Sequence, residues 1–462
     1  MKKLTMPHTY ALIFIIIAIV ASLTYIIPAG QFDRAKDAKT GKVFVVADSF
    51  HRVEQSPVSP FGVFKAVPKG MEEAGQIIFF VLMIGGTFGI LQATGAIDAG
   101  IGAAVKSMTG REKLVIPVIM FIFSLAGAIL GTAEEALPFY PIVISLALAL
   151  GFDSITGTAI VLLGAGAGFA GAFLNPFTIG IAQGISGLPL FSGILYRLLC
   201  YVIILGAGII YVYRYASKIH KNPELSPMYE EDLKRHNSFD INNLPQFNKK
   251  HRMVMGVLVI GLAILGFGIV KLGFYITELS AMFLIIGIAA GIVGGLKMNG
   301  IAEEFINGAQ AMVYGALVIG LARSIMVVMT EGSIMDTIIY SMANVVSGLP
   351  GTLSAVGMFV VQSFTNIIIP SGSGQAAVSM PIMAPMADVV GITRQTAVLA
   401  FQFGDGFSNM ISPTSGYFMA ALAIGGITWN KWAKWMLPLF LIWSAIGAVM
   451  VAISVLINYG PF

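Results

Sequence analysis

Residues 131–142 read GTAEEALPFYPI, and residues 371–382, about 240 positions further on, read SGSGQAAVSMPI. The two stretches align without a gap, and each interrupts a long apolar run with Gly, Pro or small polar residues. After a three-residue slip, NPFT at 175–178 falls on SPTS at 412–415. Matching interruptions in both halves indicate a secondary transporter, because unwound backbone at membrane depth is tolerated only where it lines a cavity. The competing interpretation is chance spacing, since membrane helices are rich in Gly and Pro.

The composition is that of an integral membrane protein. Of the 462 residues, 57% are hydrophobic and 11% are charged, whereas about 25% of the residues of a soluble domain are charged. The first apolar run, 10–28, follows Lys2 and Lys3 as in a signal peptide. It is long enough to span the bilayer and further spans follow, so we predict a retained first helix. Cys200 is the only cysteine, which excludes a disulfide framework and a thiol metal cluster.

Two apolar stretches, 114–150 and 351–390, differ from ordinary spans. Each consists of two arms of about 15 to 18 residues around a polar interruption, and such arms are near the lower limit for crossing a bilayer. We predict paired re-entrant hairpins, with two full spans in each stretch as the alternative. The remaining predicted spans are 76–94, 156–184, 191–213, 253–271, 278–295, 312–331, 396–425 and 436–457.

The distribution of positive charge predicts how the two halves are oriented. With the N-terminus inside, sixteen Lys and Arg residues fall on the inner face and nine on the outer face, while Arg197 and Arg323 lie within spans. This bias follows the positive-inside rule. The first hairpin then enters from the cytoplasm and the second from outside, so the repeats are inverted about an axis in the membrane plane. Asp153 and Arg394, at equivalent ends of the hairpins, are predicted to be interfacial.

The predicted fold class is an all-α polytopic membrane protein with two inverted repeats, each holding a re-entrant hairpin and a broken transmembrane helix, plus extra helices. The polar linker carries a run of charges that we expect to form a solvated cytoplasmic loop. The predicted divisions are a first helix with an outer loop (1–60), repeat 1 (61–213), the cytoplasmic linker (214–252), connecting helices (253–297) and repeat 2 (298–462).

The binding chemistry is predicted where the hairpin tips meet the helix breaks. Pro176 and Pro413 remove an amide donor and clash with the preceding turn, so both long spans should unwind there. Unwinding frees carbonyls for a cation and leaves helix N-termini that favour a carboxylate. The alternative for the Ser/Gly tip is an ordinary turn. The candidate substrate-binding residues are Thr132, Glu134, Glu135, Asn175, Thr178, Ser371, Gly372, Ser373, Gly374, Asn409, Ser412 and Thr414.

Acidic residues within membrane segments are functional candidates by default, because insertion of a carboxylate costs several kcal/mol. Glu134 and Glu135 lie at the first tip, and Asp405 precedes the second break, with Ala165 as its counterpart in the first half. We predict that these three carboxyl groups bind a substrate amine or carry a coupling Na⁺ or H⁺. The alternative for the glutamates is solvent exposure or structural pairing with an arginine such as Arg323.

Four short motifs resemble one known family. They are MPHTY at 6–10, IPAGQFD at 27–33, GTAEE at 131–135 and SGSGQ at 371–375, and they are similar to the YfcC-like branch of the anaerobic C4-dicarboxylate carrier (DcuC-like) family. The resemblance implies the fold of the ion transporter superfamily, with a scaffold domain, a mobile transport domain, an elevator motion and often a homodimer. Its relatives include arginine/ornithine exchangers and dicarboxylate carriers. The chain lacks the Ser-Asn-Thr signature of sodium-coupled carboxylate carriers at both tips.

Together these features predict a secondary active transporter in the cytoplasmic (inner) membrane of a prokaryote. The acidic tip favours an amino acid, and among amino acids a basic one, over a C4-dicarboxylate, which remains the runner-up. An ion channel would need a continuous polar pore, and an enzyme would need a nucleophile with a base or a metal cluster, so neither is favoured. The expected partners are a small-molecule substrate and the lipid bilayer, without nucleic acid, and no cofactor beyond the coupling ion is expected.

Overall fold

The computed structural model describes residues 9–36, 43–46, 49–97, 99–100, 103, 110–236, 247–272, 274 and 276–460. The N-terminal lysines Lys2 and Lys3, residues 6–8 of the first motif and the middle of the predicted linker, 237–246, lie outside the described residues. Seven of the described helices are long and apolar enough to cross a membrane.

Eighteen α-helices occupy the described residues and account for most of the fold. They are α1 (Thr9–Leu23), α2 (Pro60–Glu73), α3 (Gly75–Ala93), α4 (Val115–Leu130), α5 (Tyr140–Ala149), α6 (Ser154–Ala170), α7 (Ile181–Ile185), α8 (Ile194–Lys221), α9 (Tyr229–His236), α10 (Lys249–Phe267), α11 (Ile276–Val293), α12 (Met298–Glu331), α13 (Met335–Ser347), α14 (Gly351–Ile368), α15 (Gly372–Val389), α16 (Arg394–Ser408), α17 (Gly416–Gly425) and α18 (Trp429–Leu456).

Two short two-stranded antiparallel sheets lie between α1 and α2. Strand β1 (Gly30–Gln31) pairs antiparallel with β4 (His51–Arg52), and β2 (Arg34–Lys36) pairs antiparallel with β3 (Val43–Val45). The Arg34 guanidinium binds the buried Asp336 carboxylate of α13 at 2.9 Å, which fixes this connection to the helical body.

Helix α12 organises one group of helices. It packs against α1, α2 and α3, and α11 packs on α3 and α10. The 34 residues of α12 extend about 51 Å at 1.5 Å per residue, so it can cross the whole bilayer. A Cβ at Gly308 would lie 2.1 Å from the carbonyl oxygen of Gly85, so glycine is required for the close approach of α3 and α12.

The second group of helices contains the two predicted repeats. In the first half, the hairpin α4–α5 packs on α6, and a break separates α6 from α7. In the second half, the hairpin α14–α15 packs on α16, and a break separates α16 from α17. The order hairpin, then broken helix, is therefore the same in both halves, which confirms the hairpins and breaks predicted from the aligned motifs.

Helices α8 and α18 show that the repeats are inverted. Near the start of α8, Tyr196 donates to the Met450 carbonyl, and near its end, Tyr211 donates to the Trp435 carbonyl, so the two helices are antiparallel. The base of the first hairpin lies at the end of α8, where Tyr215 donates to the Asp153 carboxylate at 2.6 Å. The two helices are about 42 Å long at 1.5 Å per residue.

The base of the second hairpin lies at the other end of this pair. Thr393 donates to the carbonyl of Tyr459, just beyond α18, at 2.8 Å, and the Tyr459 hydroxyl donates to the Gly193 carbonyl, just before α8. The two hairpins therefore enter from opposite ends of α8 and α18. Because their tips line one cavity, each hairpin is re-entrant rather than a pair of full spans.

Several predicted boundaries differ from the structure. Helix α12 begins at Met298 rather than at 312, because Glu303 and Glu304 in its second turn lower the apolar signal. Helices α2 and α13 were not predicted, since they mix charged and polar residues with apolar ones. The ends of the predicted linker are helical rather than a loop, although most of their residues are exposed: α8 continues to Lys221, and α9 and the start of α10 are helices. Asp153 is buried within the protein, at 3% exposure, and its interfacial depth in the membrane stays a prediction.

Candidate functional site

A cavity of about 240 Å³ lies between the two hairpin tips. The first tip, the second tip and both helix breaks contribute to its walls, and α3 and α12 close it from the other group of helices. Its lining residues are Ile77, Gly131, Ala133, Glu134, Glu135, Phe169, Phe177, Thr178, Arg323, Pro370, Ser371, Gly372, Ser373, Asn409 and Tyr417.

The first tip presents two carboxyl groups to this cavity. Helix α4 ends at Gly131, whose φ of 69° is left-handed, a conformation that glycine adopts without strain. The side chains of Glu134 and Glu135 are partly exposed and line the cavity. Glu135 accepts a hydrogen bond from the amide of Ala133 at 3.0 Å, so it also holds the turn. Each carboxylate also accepts from the backbone amide of its own residue, so Glu135 differs from Glu134 in its additional hydrogen bond to Ala133.

The second tip presents the N-terminus of a helix. Ser371 caps α15, and its Oγ accepts from the amide of Gly374 at 3.3 Å. The amides of Gly372 and Ser373, in the first turn, have no acceptor within the helix. Aligned peptide dipoles add partial positive charge at this end, so the tip favours a carboxylate or another anion.

The two helix breaks share one local contact. Asn175 Oδ1 accepts from the amides of Phe177 and Thr178 at 2.9 and 3.2 Å, and Ser412 Oγ accepts from the amide of Thr414 at 3.4 Å. In each break a side chain before the proline binds the amide two residues later. This satisfies a backbone donor released by the unwinding.

Asp405 lies directly behind the second tip. It is fully buried, and a Cβ added at Gly372 would lie 2.8 Å from its Oδ2. Asn409 Nδ2 donates to Asp405 Oδ1 at 3.0 Å. Asp405 Oδ2, Asn409 Oδ1 and Thr178 Oγ1 are buried and have no hydrogen-bond partner among the described residues. Buried polar atoms are normally satisfied, and oxygen atoms of these kinds suit a hard cation or a proton.

The two intramembrane arginines occupy different places. Arg323 lines the cavity, and its Nε donates to Glu73 Oε2 of α2 at 2.9 Å. Its ion-pair partner is therefore Glu73 rather than a glutamate of the first tip. Arg197 is buried and donates from Nη2 to Gln395 Oε1 at 3.2 Å, outside the cavity lining.

The structure brings seven of the predicted site residues to the cavity wall: Glu134, Glu135, Thr178, Ser371, Gly372, Ser373 and Asn409. Their roles in binding remain predictions. The others lie outside the lining. Thr132, Asn175, Gly374 and Asp405 are next to lining residues along the chain or through a contact, while Ser412 and Thr414 lie in the second break, where Ser412 borders a separate apolar cavity of about 490 Å³.

Some lining residues were not predicted. Phe177 follows the first proline and Tyr417 follows the second break, so their positions beside the breaks were a usable signal. Ile77 lies in an ordinary apolar helix and offered no signal. Arg323 is visible in the sequence as an intramembrane charge, but only the packing of α12 against α17 brings it to the cavity.

Comparison with known proteins finds one family and relatives that match this chain over nearly its whole length. The model of the C4-dicarboxylate anaerobic carrier family matches residues 6–456. A protein of Escherichia coli (strain K12) described as "Putative basic amino acid antiporter YfcC" is 36% identical over 471 residues, covering 94% of this chain and 93% of that protein. A protein of Haemophilus influenzae described as uncharacterized is 31% identical over 98% of both chains.

Two solved structures align over nearly the whole chain. One is the YdaH transporter of Alcanivorax borkumensis, with a TM-score of 0.43 and 15% identity, covering 98% of this chain and 99% of that one. The other is MtrF of Neisseria gonorrhoeae, with a TM-score of 0.42 and 17% identity, covering 98% and 96%.

Proposed function

The chain belongs to the C4-dicarboxylate anaerobic carrier family, and we propose that it is a secondary active transporter that moves a basic amino acid by an elevator motion. The family and the relatives whose names state an activity are transporters rather than enzymes, and the chain is a multi-pass membrane protein. We further propose the inner membrane of a prokaryote as its location and a homodimer as its assembly.

One observation carries the proposed substrate: the cavity has chemically opposite walls. Glu134 and Glu135 line the side of the first tip, and the N-terminus of α15, at Gly372 and Ser373, lines the other. An amino acid has an amine for the first wall and a carboxylate for the second. The formally charged lining residues are two glutamates and one arginine, Arg323, a balance that complements a cationic substrate.

A C4-dicarboxylate is the second candidate, favoured by the description of the family. Two carboxylates of such a substrate would have to enter a cavity with two glutamates, and like charges in a site of low dielectric constant repel each other. The relative described as a "Putative basic amino acid antiporter" supports the amino acid instead.

The position of the cavity supports the elevator motion. Ile77 of α3 and Arg323 of α12 form one wall, and both belong to the group of helices organised by α12. The hairpins and broken helices form the other walls. Movement of the hairpin group along α3 and α12 would expose the cavity to each side in turn, as rigid-body movement of a repeat does in other transporters.

Asp405 is the proposed group for coupling to an ion, with Glu134 and Glu135 as further candidates. Its unpartnered Oδ2 lies behind the tip that would close over the substrate.

Replacing Asp405 by Asn should preserve substrate exchange but abolish gradient-driven accumulation, because the amide is isosteric and neutral. Proteoliposomes with separate Na⁺ and H⁺ gradients measure this. Asp388→Asn, at the hairpin base, is the matched control. Unchanged accumulation by Asp405→Asn would remove Asp405 from coupling.

Counterflow tests the proposed function as a whole. Proteoliposomes are loaded with unlabelled arginine, lysine or succinate, and uptake of labelled arginine and labelled succinate is followed. The expected result is exchange of arginine against arginine or lysine, without chemical change and without steady conductance. Exchange confined to succinate would support the second candidate, and steady conductance would support a channel. Protein-free liposomes provide the background.

A further inference from the structure

A groove of about 650 Å³ lies between α8 and α18, away from the cavity between the hairpin tips. Its apolar end is formed by Ala207 and Ile210 of α8 and by Ile442 of α18. Ile210 is 54% exposed and Ile442 is 46% exposed. Apolar side chains so exposed in the middle of two spanning helices face the acyl chains of the bilayer.

The other end of the groove is basic. Arg214 and Lys218 follow Ile210 at steps of four residues, so these side chains lie on one face of α8. Lys434 on α18 lies one turn from Pro438, which also lines the groove. Because α8 and α18 are antiparallel, the end of α8 and the start of α18 bring all three cations to the same end, next to the base of the first hairpin.

These three cations are exposed and form no ion pair with any residue that the structure describes. A neighbouring lysine shows the contrast. Lys431 donates to the Glu231 carboxylate of α9 at 2.6 Å, and this hydrogen bond lowers the pKa of Glu231. Positive charge at the mouth of the groove is therefore left for an external anion.

Aromatic side chains line the groove between the apolar and basic ends. Tyr211, Tyr215 and Trp435 are fixed there: the hydroxyl of Tyr211 donates to the Trp435 carbonyl, and that of Tyr215 donates to Asp153. Tyr and Trp are enriched at the level of lipid headgroups. The groove thus passes from apolar to aromatic to cationic along the direction in which a phospholipid passes from acyl chain to headgroup.

We propose that this groove is a binding site for an anionic phospholipid, with the phosphate between Arg214, Lys218 and Lys434 and an acyl chain beside Ala207 and Ile210. Basic pockets between transmembrane helices recognise anionic headgroups in this way. A soluble anion would use the cations and leave the apolar end uncovered. The proposal does not depend on the transported substrate, because none of these residues lines the cavity between the hairpin tips.

The tryptophans of the chain provide a direct readout, since all four, Trp429, Trp432, Trp435 and Trp443, lie in α18. The protein is placed in vesicles of phosphatidylcholine, and quenching by bromine-labelled phosphatidylglycerol is compared with quenching by bromine-labelled phosphatidylcholine. We expect the anionic lipid to bind at least about tenfold more strongly, since each cation near a headgroup contributes about 1 kcal/mol. Trp435→Phe should remove most of the specific quenching.

The triple variant Arg214→Gln, Lys218→Gln, Lys434→Gln should bring the ratio of the two binding constants close to one. The matched control, Lys221→Gln, Lys249→Gln, Arg252→Gln, removes the same charge from exposed positions outside the groove and should keep the preference. If both triple variants lose the preference for the anionic lipid equally, the lipid is attracted to surface charge in general, and the proposed site is wrong.

Two further outcomes would also overturn the proposal. If millimolar inorganic phosphate abolishes the preference, the cations bind a soluble anion instead. If Ile210→Cys, in a Cys200→Ala background, forms disulfide-linked dimers in the vesicles, a second copy covers the groove. Ala207→Phe, which fills the apolar end and keeps every cation, should weaken the preference, and an unchanged preference would exclude binding of the acyl chain.

Discussion

The two hairpin tips occupy equivalent positions but have different chemistry. The first carries Glu134 and Glu135, whereas the second carries Ser371 and Ser373 around the N-terminus of a helix. The scaffold of hairpin and broken helix is repeated, while the charge is not. A repeat of backbone geometry therefore does not imply a repeat of binding chemistry, and a cavity between unequal tips suits a substrate with unequal ends.

The side of the membrane on which each hairpin has its base gives an all-or-none test of this comparison. Because Asp153 is buried, labels are better placed at the exposed positions Glu224, near the base of the first hairpin, and Val389, at the base of the second. In a Cys200→Ala background, Glu224→Cys and Val389→Cys should react with an impermeant maleimide from opposite sides of the membrane. Reaction of both from one side would contradict the inverted arrangement.

Neutralising the acidic tip should have the largest effect on binding. If Glu134 meets a substrate amine, Glu134→Gln should weaken binding by about 3 to 5 kcal/mol, because the other charge is left unpaired in a desolvated site. Glu135→Gln should lose less binding free energy than Glu134→Gln, since the Glu135 carboxylate also accepts from the Ala133 amide. Equilibrium binding of labelled arginine measures both.

The control is Glu112→Gln, at the partly exposed base of the same hairpin, which should bind normally. If Glu134→Gln keeps binding and exchange but loses pH-driven accumulation, the carboxyl group carries a proton instead. Full binding and full accumulation by both tip variants would remove the reason to prefer an amino acid over a dicarboxylate.

A methyl group added at the second tip should lower transport, by less than neutralisation of the acidic tip lowers binding. In Gly372→Ala, the added Cβ would lie 2.5 Å from Thr178 Cγ2 and 2.8 Å from Asp405 Oδ2, so it would force apart the second tip, the first break and α16. Overpacking of this kind costs about 1 to 3 kcal/mol. We expect lower transport at an equal amount of protein in the membrane. Gly184→Ala, where nothing lies within 4 Å, should be normal; equal activity of the two variants would show that the tip moves freely.

Substitutions in the two helix breaks should have the smallest effects on transport. Asn175→Ala removes an acceptor for two backbone amides, in a side chain that lies directly beside Gly131. Ser412→Ala removes a 3.4 Å hydrogen bond from one backbone amide and a 2.7 Å hydrogen bond with the Thr414 hydroxyl, both outside the cavity lining. Loss of a capping side chain costs about 1 kcal/mol. We therefore expect Asn175→Ala to lower exchange more than Ser412→Ala, measured by initial rates at matched levels. A larger loss for Ser412→Ala would place the second break closer to the substrate.

The sequence by itself determined the membrane class, the two hairpins, the two breaks and the acidic tip. These features depend on local properties: apolar runs fix the spans, prolines unwind helices, and a carboxyl group in an apolar run is visible without any contact. The alignment of 131–142 on 371–382 also located both tips along the chain, because equivalent interruptions mark equivalent positions in the two halves.

Only the tertiary structure decided which residues share the cavity. Arg323 reaches it because α12 packs against α17, the helix that follows the second break, and its pairing with Glu73 joins residues 250 positions apart. Asp405 lies behind Gly372 rather than in the lining, and Ser412 faces another cavity, although all were equal candidates in the sequence. Helical periodicity gives the face of each helix but not the partner of that face, because packing between distant segments depends on side-chain contacts that no local pattern records.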